Sequence, residues 1–334
     1  MKRDFIFVVI IIGILIVIGS ILKFSQNKRC EVELNTSINA ANKQIEEVQG
    51  FKVTLLGGTN MHDLGDINSM GYIIRTRNNK LIIVDGGREN DKDLVLKYIN
   101  EYGKGKVDYW FVTHAHIDHV GALLKNIEDD ENIEIENLCY KFLTDEWYKK
   151  YDERGYESEH RMLEALSSDK IKNKIECKAE DLIDIDNLKC EIIRVADPSV
   201  TGSDNGNEAS MVFKFTATDI DKSILFLGDS YFKVSRELLE LAPEKLESYA
   251  VQIAHHGQNG VTKEVYDVIK PKVCFYNCPK WLYDNDIGEG YNTSKYQTVE
   301  VRGWMEEKGA TSFVAFEGDQ TIRFTKDGFE KVEE

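Results

Sequence analysis

Proline is scarce, four residues in 334, and no proline-rich linker divides the chain, so one domain is a simpler reading than two. Cysteine is sparse too. None of the six forms a CxxC couple, and Cys274 and Cys278 have no histidine nearby, which excludes a zinc knuckle and leaves them as small apolar residues. Export would permit disulfides, but the spacing assigns none. Positive charge is short: 42 Lys and Arg stand against 58 Asp and Glu, for a net charge of −16. Such a surface repels polyanions, so non-specific nucleic-acid binding is disfavoured, although a local metal site can still hold a phosphate. Histidine numbers only seven, and three of these fall within six residues.

That cluster is His114, His116 and His119, with Asp118 between them, in Val112–Gly121. The β-branched, apolar run from Val107 to Val112 reads as a buried strand, and Gly121-Ala-Leu-Leu opens a helical pattern, so the cluster sits on a strand-to-helix loop. His114 and His116, two apart, project to one side of an extended backbone and can grip one ion, while Asp118 and His119 point to a second position. Chelation explains this density better than core packing.

Residues 5–22 carry no charge and are nearly all Ile, Val, Leu and Phe. Eighteen helical residues reach about 27 Å, close to the hydrocarbon thickness of a bilayer. They predict a single-pass anchor over 1–22, or a signal peptide if Val17-Ile-Gly19 is cleaved. Lys2 and Arg3 favour a cytoplasmic N-terminus and an extracellular body, whereas Lys23, Lys28 and Arg29 argue the other way. Residues 23–50 read as a stalk and 51–330 as the folded domain.

Within that domain Phe51–Leu56 is a strand, Gly71–Val84 a hairpin about Asn78-Asn79, and Asp91–Tyr102 helical. Trp147–Leu166 reads as one amphipathic helix. It carries His160, a surface residue on this reading, with a substrate or metal contact as the lesser alternative. Asp197–Ser210 is a long polar loop. Strands follow at 190–195, 211–217, 223–227, 250–254, 272–277, 312–316 and 321–324, with helices at 234–241, 262–269 and 298–308. Two strand-rich halves closed by helices imply an α/β fold of two packed sheets with helices outside.

Two apolar strands end in further ligands, Leu225-Phe-Leu-Gly-Asp229 and Val251-Gln-Ile-Ala-His255-His256. A carboxylate such as Asp229 can bridge two cations. With these residues in view, the chain resembles the metallo-β-lactamase superfamily of hydrolases. The likeness rests on His-x-His-x-Asp-His at 114–119, Ile82-Ile-Val-Asp85-Gly-Gly, Asp229 and the 255/256 pair, and runs from about Phe51 to Thr325. Asn207-x-x-Ser210-Met-Val-Phe and Ile-Ala-His-His-Gly are similar to the branch holding the soluble ComEC domain and the phosphorylcholine esterases. The resemblance implies an αββα sandwich of two mixed sheets and two divalent ions, zinc by preference with manganese as the alternative. It places one ion on His114, His116 and Asp229 and the other on Asp118, His119, Asp229 and His256. It departs from the family by lacking a further histidine before the bridging aspartate; residues 204–210 stand in its place.

The chemistry implied is a membrane-anchored phosphodiesterase or phosphoesterase acting on a small-molecule or polymer-headgroup ester through metal-activated water. Asp118 orients that water and takes its proton, His255 donates to a substrate oxygen or holds a neighbour, and Asp85, Asn207 and Ser210 buttress the ligands. Lactone, thioester or β-lactam hydrolysis uses the same metals, and a non-catalytic metal-binding sensor is a reading from another class. The aromatic segment Tyr276–Tyr283, with Tyr291, either walls a pocket or forms core and rim.

Overall fold

The computed structural model describes residues 49–59, 61, 63, 67–129, 131–199, 201 and 205–333. The expected anchor and stalk lie outside them. Among the described residues no helix is long and apolar enough to cross a membrane. Gly50–Glu334 forms one compact unit.

In chain order the elements are β1 (Phe51–Leu55), β2 (Gly71–Arg75), β3 (Leu81–Asp85), α1 (Lys92–Tyr98), β4 (Lys106–Val107), β5 (Tyr109–Phe111), α2 (Ile117–Glu128), β6 (Glu134–Tyr140), α3 (Asp145–Tyr151), α4 (Tyr156–Ala165), β7 (Ile171–Glu176), β8 (Leu182–Ile185) and β9 (Leu188–Arg194). There follow α5 (Asn205–Glu208), β10 (Val212–Ala217), β11 (Lys222–Phe226), α6 (Phe232–Leu241), α7 (Pro243–Leu246), β12 (Ala250–Gln252), α8 (Lys263–Ile269), β13 (Val273–Tyr276), α9 (Lys280–Tyr283), α10 (Thr298–Glu307), β14 (Thr311–Val314), β15 (Gln320–Thr325) and β16 (Gly328–Val332).

One sheet runs β16-β15-β1-β2-β3-β5-β6, with β4 and β7 also beside β6; the other runs β14-β13-β12-β11-β10-β9-β8. Both are mixed. Antiparallel hairpins form one half of each, and β3-β5-β6-β7 and β11-β12-β13-β14 are parallel. Alternation along the strands explains the layering, because successive side chains face opposite sides. Ile82, Val84, Phe213, Phe215, Ile224 and Phe226 share the core between the sheets. Leu81 and Ile83 point outward to Val120, Leu123 and Trp147. Leu225 and Leu227 point outward to Val234, Leu238 and Val265. The result is helices on both outer faces of two stacked sheets.

The structure differs from these expectations in places. The single helix over Trp147–Leu166 is instead α3 and α4, separated at residues 152–155. Gly155 lies in that break, where an added Cβ would stand 2.6 Å from His116 Nε2. Strands β7, β8 and β16 carry few buried residues and so lack the alternation that reveals a strand in sequence. The described cysteines, 139, 177, 190, 274 and 278, are free and buried.

Candidate metal centre

Four loops converge from the carboxyl ends of parallel strands. Asp85 ends β3, His114 follows β5, Asp229 follows β11, and His255-His256 follow β12. The helix after the histidine loop begins at Ile117 rather than Gly121, so Asp118 and His119 occupy its first turn. An acidic residue there is favoured by the helix dipole. His255 and His256 both take left-handed backbone, φ 51° and 56°. Two consecutive non-glycine residues in that region are costly, and the packing around them must hold the strain.

For three imidazoles the hydrogen bonding decides which nitrogen is free. Asp85 Oδ2 accepts from His119 Nδ1 at 2.8 Å, and the same carboxylate accepts from the Thr113 N–H and hydroxyl. The Asn277 carbonyl accepts from His256 Nδ1 at 2.7 Å, while the Asn277 side chain accepts the Tyr72 hydroxyl from the facing sheet. His114 Nδ1 lies 3.2 Å from Thr113 Oγ1 and 3.4 Å from Ser210 Oγ, which also accepts the Asp229 N–H. In the deprotonated form of His119 and His256 the lone pair therefore falls on Nε2, and the Nε2 of His114 faces the same cluster. Those three Nε2 atoms and Asp229 Oδ1 are buried without a partner. Leaving each so costs about 1–3 kcal/mol, which a shared cation would remove.

Asp229 bridges. Its Oδ1 is 3.3 Å from His119 Nε2 and its Oδ2 is 3.2 Å from His256 Nε2; Asp118 Oδ2 is 3.4 Å from the same His256 nitrogen. His114, His119 and Asp229 form one group with ligand atoms within 4.8 Å of one another, and Asp118, His119 and His256 form a second. Burial pushes His114 well below its usual pKa, with His119 adding to it. Burial opposes charge on His119 and His256 as well, but Asp229 outweighs it, lifting His119 far up and His256 to about 9. Burial would raise Asp229, yet His256 and His119 hold it well below the carboxylate range. Protons thus stand where cations would, and the donor set of imidazole nitrogen and carboxylate oxygen fits zinc-type ions.

His116 is expected beside His114 and Asp229, and its two ring nitrogens are placed differently. Its Nε2 lies 2.6 Å from Asp152 Oδ2, and it groups with Asp152 and Glu159 rather than with Asp229. The reason is the break between α3 and α4, which delivers Asp152 to the ring edge. No room remains there: a Cβ on Gly206 would stand 1.8 Å from Asp152 Oδ2 and 2.2 Å from His116 Nε2. With Nε2–H donated to Asp152, Nδ1 is the nitrogen left for a metal. Behind Asp152 lies Glu159, 1% exposed and with neither oxygen partnered. Burial, and then Asp152, push Glu159 up to about 10, so it is a neutral acid able to donate to Asp152.

Asp152, Glu159 and Arg88, whose Nη2 is 3.6 Å from Asp118, were not anticipated. The only sequence signal was the Asp-Glu-Arg-Gly turn inside a helical pattern. Asn207 and Ser210 do touch the cluster. His255 Nδ1 donates to the Asn259 carbonyl at 3.2 Å, which makes Nε2 an acceptor, and Asn207 Nδ2 meets it at 3.2 Å. Of the two roles expected for His255, holding a neighbour matches its contact with Asn207. His160 is exposed and bonded to Asp145, away from the cluster.

A cavity of about 490 Å³ opens beside the cluster, lined among others by His116, Asp118, Arg154, Tyr231, Lys295 and Tyr296. Of the two readings of Tyr276–Tyr283, pocket wall or core and rim, the structure matches the second: none of these residues is among those that line the cavity. Tyr276 is buried in the outer core of the second sheet and Tyr283 packs on Phe316 and Arg302.

Residues 64–161 match the family model of the metallo-beta-lactamase superfamily. No curated protein matches the chain. Similar solved structures include the metallo-beta-lactamase fold protein YhfI from Bacillus subtilis, 12% identical over 82% of this chain and 100% of that one, TM-score 0.48. Unliganded yeast PDE1 is 13% identical over 82% and 99%, TM-score 0.46. CmlA, a diiron beta-hydroxylase from Streptomyces venezuelae, is 13% identical over 83% and 54%, TM-score 0.47.

Proposed function

We propose, from the premise that this chain carries a metallo-beta-lactamase superfamily domain, that it is a metal-dependent phosphodiesterase or phosphoesterase held at a membrane by residues 5–22. The observation that carries the reading is the convergence of four buried, unpartnered ligand atoms, His114 Nε2, His119 Nε2, His256 Nε2 and Asp229 Oδ1. Divalent ions held by His114, His116, Asp229, Asp118, His119 and His256 would make water reactive at neutral pH and neutralise a phosphoester oxygen. Asp118, on the cavity wall, is placed where it would orient water and accept a proton from it were the ions bound. Asp85, Asn277 and Asp152 each fix one imidazole tautomer, so that the metal-facing nitrogen carries a lone pair. A polar cavity beside the ligands suits an ester with an ionic arm better than an apolar acyl chain. The likeness of the Asn207, Asp229 and His256 segments to the ComEC and phosphorylcholine-esterase branch supports the phosphodiester choice over lactones or β-lactams.

The test uses the full-length chain in detergent, loaded with zinc and offered bis-p-nitrophenyl phosphate, a lactone and a β-lactam. Phosphodiester turnover, about two ions per chain and loss of turnover in His116→Ala with the fold retained are the expected results. Unchanged turnover in that variant, or a chain that holds no metal, would sink the reading.

A further inference from the structure

The cavity beside the ligand cluster holds a charge pattern that metal binding does not use. Its acidic wall residues are already engaged: Asp118 faces His256 and Arg88, and Asp152 accepts from His116. Its two basic residues are not. Arg154 sits in the break between α3 and α4, Lys295 in the loop before α10, and both are exposed. Among the described residues neither has a carboxylate partner, and Lys295 has only the Tyr296 ring at 5.5 Å. Elsewhere the arginines find partners: Arg77, Arg88, Arg161, Arg194, Arg236, Arg302 and Arg323 each meet a carboxylate, and Arg75 stacks on Tyr102. In a chain of net charge −16, an arginine left unpaired on a cavity wall stands out against an abundance of available acids.

We propose that Arg154 and Lys295 form an anion subsite beside the metal cluster, and that the substrate carries a second phosphoryl group on the arm that fills the cavity. This rests on the phosphoester reading above. The chemistry is a match of charge and shape: a phosphoryl dianion takes two bonds from the planar guanidinium fork and one point contact from an ammonium. A volume of about 490 Å³ is in the range of small-molecule sites, and the same cavity is lined by His116 and Asp118 of the cluster and by the two cations. Tyr231 and Tyr296 supply flat walls for the connecting group.

The experiment is calorimetric titration of pyrophosphate, with succinate as the carboxylate control, into the metal-free full-length chain in detergent at low salt. Arg154→Gln and Lys295→Gln are the variants, both at exposed positions where the fold should tolerate them. Each is expected to weaken pyrophosphate binding by about tenfold, the size of one charge-assisted hydrogen bond, and added salt should weaken the wild type more than the variants. Pyrophosphate affinity unaltered in both variants, or succinate bound as tightly as pyrophosphate, would overturn the subsite. A wild-type chain that binds pyrophosphate through Arg154 yet cleaves no phosphodiester when zinc-loaded would overturn the hydrolase reading alone and retain the subsite.

Discussion

Glu159→Gln should make the metal-free protein more stable, and increasingly so as pH rises. Glu159 is 1% exposed, accepts no hydrogen bond, has only the His116 ring 3.8 Å away as a possible counter-charge, and lies behind Asp152, whose carboxylate is committed to that same ring. Burial and Asp152 lift it from 4.5 to about 10. An acid raised on folding contributes stability that is fully present below its unfolded pKa and is lost as pH climbs toward the folded one, because the native state keeps a proton the unfolded state has released. Each pH unit in that window costs about 1.4 kcal/mol, so from about pH 5 to about pH 7 the wild type should lose about 2–3 kcal/mol from this group alone. Glutamine supplies an N–H donor to Asp152 at the same place and has no proton to lose. Titrating groups other than its neighbours Asp152 and His116 are common to both proteins and cancel in the difference. Urea unfolding of both proteins across that range reads the effect: the two stabilities should agree near the acid end and separate steadily above it. A constant difference across pH would refute the reasoning, since it would mean that Glu159 ionises normally in the folded chain.

Asp229→Asn removes the charge that faces two imidazoles at once, and metal content measured by emission spectroscopy should fall to one ion per chain or fewer, with phosphodiester turnover down by about 100-fold or more. Gly206→Ala places a methyl group against the Asp152–His116 bond; metal affinity should weaken by about 10- to 100-fold, and a competition titration with a chelator would expose an unaffected site. His256, lifted to about 9 in the metal-free protein, is protonated at neutral pH and must release that proton to a cation. Zinc affinity should therefore rise with pH up to about 9 and proton release per bound ion should fall over the same range, which calorimetry in buffers of different ionisation heat measures.

Much of the architecture is legible in sequence because it is local. The unbroken apolar run Leu81–Val84 and the alternation in Val212–Ala217 announce strands, and the turn at Asn78-Asn79 announces a hairpin. Strands β7 and β16 stayed hidden since exposed edge strands bury too little to show a period. The break between α3 and α4 stayed hidden for the opposite reason. The helical pattern of Trp147–Leu166 continues across it, with the Asp-Glu-Arg-Gly turn as its one local signal, and what that turn serves, the close approach of Gly155 to the His116 ring, is set by a residue far off in sequence.

The site divides along the same line. Covalent spacing alone brings His114, His116, Asp118 and His119 together, since six residues at a strand end have nowhere else to go, and the strand-terminal positions of Asp85, Asp229 and His256 follow from the apolar runs before them. Which nitrogen of each ring faces the cluster was decided only by tertiary structure. A tautomer is set by whatever accepts its proton, and those acceptors, Asp85, Asn277 and Asp152, come from segments 21 to 36 residues away from the histidines they hold.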